Sequence, residues 1–316
     1  MKARPRLGLG QRVVLALPYL YLTIFFLAPF ALIVKISLSQ QTLAIPPYAP
    51  AFDWADGPAM WLEKARALGL DAWRALFADS IYAEAMLWSL ALAALATLGA
   101  LLVGFPLALA IARSDPRWRP LLVMLAVAPF WTSFLIRVYA WIMILKDEGL
   151  LNNALIALGL ISAPLEIFAT KGAVVIGIVY SYLPFMVLPL YAALDKQDAS
   201  LREAAADLGA TPWRVFASVT LPLALPGVMA GALLVFIPAV GEFVIPDLLG
   251  GSDTLMIGRQ LWNEFFANRD WPTAAAVAIA LLALIVGPLT LYERYRLAEE
   301  GAGLAEDGAR LAEDGA

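Results

Sequence analysis

The sequence predicts an all-α membrane protein with six transmembrane helices, and three observations carry that expectation. Of 316 residues 62% are hydrophobic and 15% charged, an apolar share well beyond that of ordinary soluble domains. Six stretches, near 13–34, 85–112, 121–145, 172–194, 221–245 and 273–291, approach the about 20 mostly apolar residues that cross roughly 30 Å of hydrocarbon. Lysine and arginine gather in alternate connections, as short cytoplasmic loops require.

The first stretch follows Lys2, Arg4, Arg6 and Arg12 and ends in Lys35 and a polar Ser-Leu-Ser-Gln-Gln run. It is longer than a signal-peptide core and has no small-x-small cleavage site, so it reads as a retained anchor behind a basic terminus, 1–12. Residues 36–84 form a long outer segment, in which 60–70 has the pattern of an amphipathic helix lying on the membrane surface. Arg113, Arg117 and Arg119 follow the second stretch, and Lys196, Arg202 and Arg214 follow the fourth. With the basic N-terminus these face inward together, and an even number of spans puts both termini in the cytoplasm. Pro106, Pro184, Pro189, Pro226, Pro238 and Pro288 predict kinks. Gly227 and Gly231 form a small-x-x-x-small face for close helix packing, within the chain or at a subunit seam. Gly250-Gly251 and the run 255–266 suggest an outer re-entrant or interfacial segment. The tail, 293–316, contains Leu-Ala-Glu-Asp-Gly-Ala twice and lacks an apolar face, which predicts a disordered cytoplasmic end.

Composition also excludes. With no His and no Cys, the commonest general base, the thiol nucleophile and every Cys/His metal site are missing, so no catalytic and no metal residue is assigned. A net charge of -4 argues against nucleic acid. No Gly-x-x-x-x-Gly-Lys-[Ser/Thr] run is present to cradle ATP phosphates.

The loop 195–220 is the most informative segment. Ser200 and Glu203 have the spacing of a capping box, Gly209 stands where a helix ends in a left-handed turn, and Thr211-Pro212 opens a second helix. Two short helices hinged at a glycine suit a socket on another protein better than a linker. Glu203-Ala204-Ala205, Gly209, then Val219, Leu221 and Pro222 resemble the EAA loop of type I ABC importer permeases, with Val219 where isoleucine is commoner. The resemblance covers nearly the whole chain. Ala-Ile-Pro-Pro-Tyr at 44–48, Pro-Phe-Met-Val-Leu-Pro at 184–189, Glu-Phe-Val-Ile-Pro-Asp-Leu-Leu-Gly-Gly at 242–251 and Asn-Arg-Asp-Trp-Pro at 268–272 look like the spermidine/putrescine permeases, closest to the putrescine branch.

That resemblance implies a type I ABC importer permease fold over 13–292 in a bacterial cytoplasmic membrane. It implies a polyamine substrate, putrescine foremost and spermidine in the same class, carried into the cytoplasm. The implied partners are two copies of an ATPase that uses ATP and Mg, a second homologous permease, and a periplasmic or extracellular solute-binding protein; this chain holds no cofactor. Arg202, Glu203, Ala204, Ala205, Gly209, Val219, Leu221 and Pro222 are the expected ATPase-coupling residues. Residue reading alone leaves two other transport classes open, an ABC permease for another small solute and an ion-coupled secondary transporter; the second calls for internal repeats and midplane carboxylates, which the sequence scarcely offers.

For a substrate path, ionisable residues inside spans stand out because burying them is costly. Arg137 falls in the third stretch and Glu242 near the end of the fifth. Glu242, with Asp247 beyond it and Trp131, Tyr139, Tyr180 and Tyr182 offering aromatic faces, makes a candidate route for a cation. An Arg137–Glu242 bridge that locks two helices is the alternative, since a buried charge demands a partner. Both readings stand at this point.

Overall fold

The computed structural model describes residues 9–287 and residue 290, so the tail 293–316 and most of the basic terminus lie outside the described residues. The chain divides into two compact units, Met1–Ser80 with Leu261–Ala316, and Ile81–Gln260.

In the first unit α1 (Leu9–Leu22) passes through a π-turn, Thr23–Leu27, into α2 (Ala28–Ser37). Pro29 has no N–H to give the helix ladder, and the wider turn absorbs the gap. Together they supply a stretch, Val14–Ser37, long and apolar enough to cross a membrane, with none of its apolar side chains buried. Beyond it β1 (Gln40–Gln41) pairs antiparallel with β2 (Tyr48–Ala49), the one sheet among the described residues. Lys35 fastens this ribbon by donating to the Pro50 carbonyl, with its ammonium 4.2 Å from the Tyr48 ring centre.

Of the run 60–70 expected to be one amphipathic helix, the part to Arg66 belongs to α3 (Pro58–Arg66), and a separate helix, α4 (Asp71–Ala78), begins just beyond it. The break falls at Gly69, whose N–H leaves the helix and donates to the Leu38 carbonyl at 2.8 Å. Only α4 buries a face, through Ala72 and Leu76.

The second unit opens with α5 (Ser80–Arg113), which continues as one long helix past Pro106. The third expected span is not a single helix. It consists of α6 (Arg119–Val127), a 3-10 turn Ala128–Trp131, and α7 (Phe134–Leu145), bent by 87° at the break. Thr132 and Ser133 both take extended ψ values, 153° and 134°, so the backbone ladder is interrupted just after the 3-10 turn. After α8 (Leu150–Ala157), Asn152 closes the connecting loop by donating to the Lys146 and Leu165 carbonyls and accepting from Leu165 N–H at 2.8 Å.

Next come α9 (Lys171–Asp195), α10 (Ala199–Asp207), α11 (Pro212–Val215), a π-turn Phe216–Thr220, and α12 (Leu221–Val240). The fifth expected span thus ends at Val240. Gly241 and Phe243 depart from helical geometry, and α13 (Val244–Leu249) starts afresh before α14 (Ile257–Trp262). Back in the first unit, α15 (Trp271–Gly287) is capped by Asp270, whose carboxylate accepts from Thr273 N–H at 3.0 Å and Thr273 Oγ1 at 2.8 Å.

Among the described residues four helices are long and apolar enough to cross a membrane, and the bent pair makes a fifth candidate. α15 covers the described part of the sixth expected span. The fold is therefore all-α and compatible with six spans, apart from the two-strand ribbon.

The core of the second unit is the seam between α9 and α12. A Cβ on Gly227 would lie 2.6 Å from Ala193 Cβ and 2.7 Å from the Pro189 carbonyl, and one on Gly231 would lie 2.8 Å from Met186 Sδ. Lipid and leucine are equally apolar, so helices in a membrane associate through such close packing rather than hydrophobic drive. The small-x-x-x-small face is thus spent within the chain.

Candidate functional site

Two regions of the second unit hold the residues singled out from sequence. The first joins α9 to α12. Asp198, not Ser200, is the N-cap of α10: its side chain accepts from Ser200 N–H at 2.9 Å. That backbone bond, with the Ser200 side chain second, holds the Asp198 carboxyl below its ordinary 3.8. At the other end Gly209 has φ +79°, Gly209 N–H donates to the Ala206 carbonyl and Ala210 N–H to the Ala205 carbonyl. This is the paired hydrogen-bond pattern of a glycine-terminated helix. Thr211 then caps α11, accepting from Arg214 N–H at 3.4 Å, as its sequence predicts.

The loop is held at its base and bare at its tip. Arg119 pairs with Asp195 at 2.6 Å, Gln197 Nε2 donates to the Thr220 carbonyl at 3.0 Å, and Phe216 packs edge-on against Phe105. Glu203, Ala204, Gly209 and Pro222 are exposed, while Arg202, Ala205, Val219 and Leu221 are half-buried. Leu208 is 90% and Trp213 74% exposed. These two were not selected from sequence, although a large apolar side chain inside a short polar loop was the available signal.

The second region lies at the far end of α12. Glu242 sits in the break between α12 and α13, not inside a helix. Its Oε2 accepts from the Tyr182 hydroxyl, and its Oε1 faces the backbone N–H groups of Phe243, Val244 and Ile245 at 3.2, 3.0 and 3.4 Å. No ion pair joins it to Arg137 among the described residues, which removes the static bridge in this arrangement. Arg137 Nε and Nη1 are buried without a hydrogen-bond partner.

Of the six path candidates, Tyr182 and Glu242 make direct contact. Tyr180 is half-buried and meets Trp141 edge-on at 5.4 Å. Trp131 and Tyr139 are exposed on the unit's surface. Asp247 is not a free carboxylate beside Glu242, because it pairs with Arg259 at 3.2 Å. Two carboxylates five residues apart thus answer different partners. No group of acidic side chains suited to a metal occurs among the described residues.

Long apolar helices, two of them followed by a backbone break, with an ordered loop between the two best-packed spans, fit one class: a multi-pass transport permease. The same fold occurs in the bacterial alginate ABC transporter solved with a periplasmic protein carrying an alginate pentasaccharide (TM-score 0.64, 17% identity, covering 90% of this chain and 94% of that one). Residues 100–292 match the family described as "Binding-protein-dependent transport system inner membrane component", and the chain belongs to that family. It is similar to the spermidine/putrescine transport system permease protein PotB of Haemophilus influenzae, 39% identical over 90% of this chain and 93% of the relative. PotB of Escherichia coli is 44% identical over 68% of this chain and 78% of its own length. The chain is accordingly an inner-membrane transport subunit and not an enzyme.

Proposed function

We propose that this chain is the permease subunit of an ATP-driven polyamine importer, with putrescine foremost among its substrates and spermidine in the same class. The observation that supports the substrate most directly is the 39% identity, along nearly the full length, to a spermidine/putrescine permease. A buried carboxylate at a helix break, beside a tyrosine, supplies an anionic step for an ammonium group in the membrane interior. In this reading Glu242 and Tyr182 line the route, and Tyr180, Trp131, Tyr139 and Asp247 flank it.

The loop 195–220 is the coupling element. Arg202, Glu203, Ala204, Ala205 and Gly209 present the docking face to a separate ATPase, Leu208 and Trp213 add apolar anchors, and Val219, Leu221 and Pro222 carry the push into α12. ATP and Mg belong to that ATPase, present in two copies. Both termini face the cytoplasm, a second homologous permease completes the pore, and an external solute-binding protein delivers the polyamine.

Uptake of labelled putrescine by proteoliposomes that contain the co-purified complex tests the proposal. The expected result is ATP-dependent accumulation that requires the binding protein and is competed by spermidine. Purification of the tagged chain without an ATPase overturns the coupling part. Uptake of a different solute, with putrescine and spermidine excluded, overturns the substrate part.

A further inference from the structure

Arg137 is a buried cation that no contact described so far satisfies. The residue is 7% exposed, and its Nε and Nη1 have no acceptor. The Phe130 and Phe134 rings lie 5.4 and 5.6 Å from the guanidinium carbon, which favours a cation but supplies no lone pair to the two N–H groups. Arg137 also lies in the first turn of α7, where unpaired backbone N–H groups already concentrate positive charge. A guanidinium placed there with open donors is costly, and an anionic acceptor offsets both costs together.

Both nitrogens are closed off by this chain's own atoms, so an acceptor on another subunit or in solution does not reach them without rearrangement. An acceptor already inside the unit reaches them through a movement of the unit's own helices. Glu242 is the one buried carboxylate among the described residues of Ile81–Gln260. Tyr182 links the two charges: its hydroxyl is bonded to Glu242, its ring lies 6.1 Å from that of Phe185, and Phe185 meets at 5.3 Å the same Phe130 ring that faces the Arg137 guanidinium. Each charged group also adjoins a backbone break. Arg137 follows the extended pair Thr132–Ser133 by one turn, and Glu242 lies between Gly241 and Phe243. Rotation is absorbed at such breaks more readily than within continuous helix.

We propose that Arg137 is the alternate partner of Glu242: the carboxylate exchanges the Tyr182 hydroxyl for the Arg137 guanidinium as the transporter passes between its two access states. The cluster is then a two-position latch, with the tyrosine-bound position seen here and the arginine-bound position formed when the breaks rotate. This rests on the ATP-driven transport proposed above and not on the identity of the substrate.

A double-mutant cycle in the assembled transporter, reconstituted in lipid nanodiscs, tests it. Melting midpoints are compared for wild type, Arg137→Gln, Glu242→Gln and the double variant, once without nucleotide and once with the ATPase trapped in its ATP-bound form. The expected result is an Arg137–Glu242 coupling in one condition that vanishes in the other, with the Tyr182→Phe/Glu242→Gln cycle showing the opposite pattern. Each single Gln variant should slow uptake about tenfold, within the usual range of coupling between states, and the double variant should be no slower than the slower single. If Arg137→Gln fails to assemble, Arg137→Lys replaces it in the same cycle, and its effect should disappear in the Glu242→Gln background. Zero coupling in both conditions overturns the exchange. Equal coupling in both also overturns it, because that describes a static bridge. A wrong substrate assignment leaves the melting cycles intact and shows instead as failed uptake by the wild type.

Discussion

Gly209 and Gly227 lie in the same unit and are required for opposite reasons. Gly209 ends α10 at φ +79° with nothing within 4 Å of where a Cβ would project. Gly227 has ordinary helical geometry, but a Cβ there would run into Ala193 and the Pro189 carbonyl of the neighbouring helix. One glycine serves its own backbone and the other serves a second helix. The wider regions follow suit: the tip of the loop 195–220 is built from caps and turns between near neighbours in sequence, whereas the Tyr182–Glu242 pair and the α9–α12 seam join residues far apart along the chain.

If that contrast is right, the most damaging change is in the seam. Gly227→Leu should cost about 3 kcal/mol or more through overpacking against backbone atoms that cannot yield, read as a lower melting midpoint and a loss of folded chain in the membrane. A variant that melts normally would show that the seam opens easily. Glu242→Ala should come next. It strips the acceptor from the Tyr182 hydroxyl and from the backbone N–H groups at the start of α13, at about 1–3 kcal/mol for leaving a buried donor unmet, and thermal melting of the complex measures it. Gly209→Val should cost about 1–2 kcal/mol in a local, left-handed turn. Membrane yield should stay normal while substrate-stimulated ATPase activity of the complex falls, so normal stimulation would break the division between the two regions.

Asp198→Ala should have the smallest effect, confined to fraying of α10 and visible as faster amide exchange at Ser200. The Asp198 carboxyl is held below its ordinary 3.8 in the folded chain. Its contribution is therefore present above that value and is lost as pH falls through the lower folded one. Protection of the Ser200 amide should hold at neutral pH, drop in the acid range, and lose that pH dependence in Asp198→Asn.

What was legible divides along the same line. Gly209 and Thr211-Pro212 announced their turns because each acts on backbone groups three to five residues away. The start of α10 was harder, since Asp198 and Ser200 offer overlapping caps. Gln197, tied to the Thr220 carbonyl, helps fix where the chain turns into the helix, and that tie is tertiary. The third span showed Pro129 but not the extended Thr132 and Ser133 after it, so an 87° break read as one continuous helix. Trp131, Tyr139 and Asp247 were expected with Glu242 along a cation's route, and chain position does not say how each is packed. Two of them are exposed, and Asp247 turns to Arg259.

By itself the sequence determined the solvent, the number of apolar stretches, the absence of side chains for most catalysis, and the glycine turn and Thr211 cap of the loop 195–220 with its family likeness. Apolar length and local hydrogen-bond chemistry are properties of contiguous residues, so they survive without a fold. Only the tertiary structure decided which helix Gly227 serves, that Glu242 answers Tyr182 and the start of α13, and that Arg137 is buried with donors to spare. A charge inside a membrane protein takes whatever acceptor packing brings within about 3 Å, and no spacing along the chain specifies that distance.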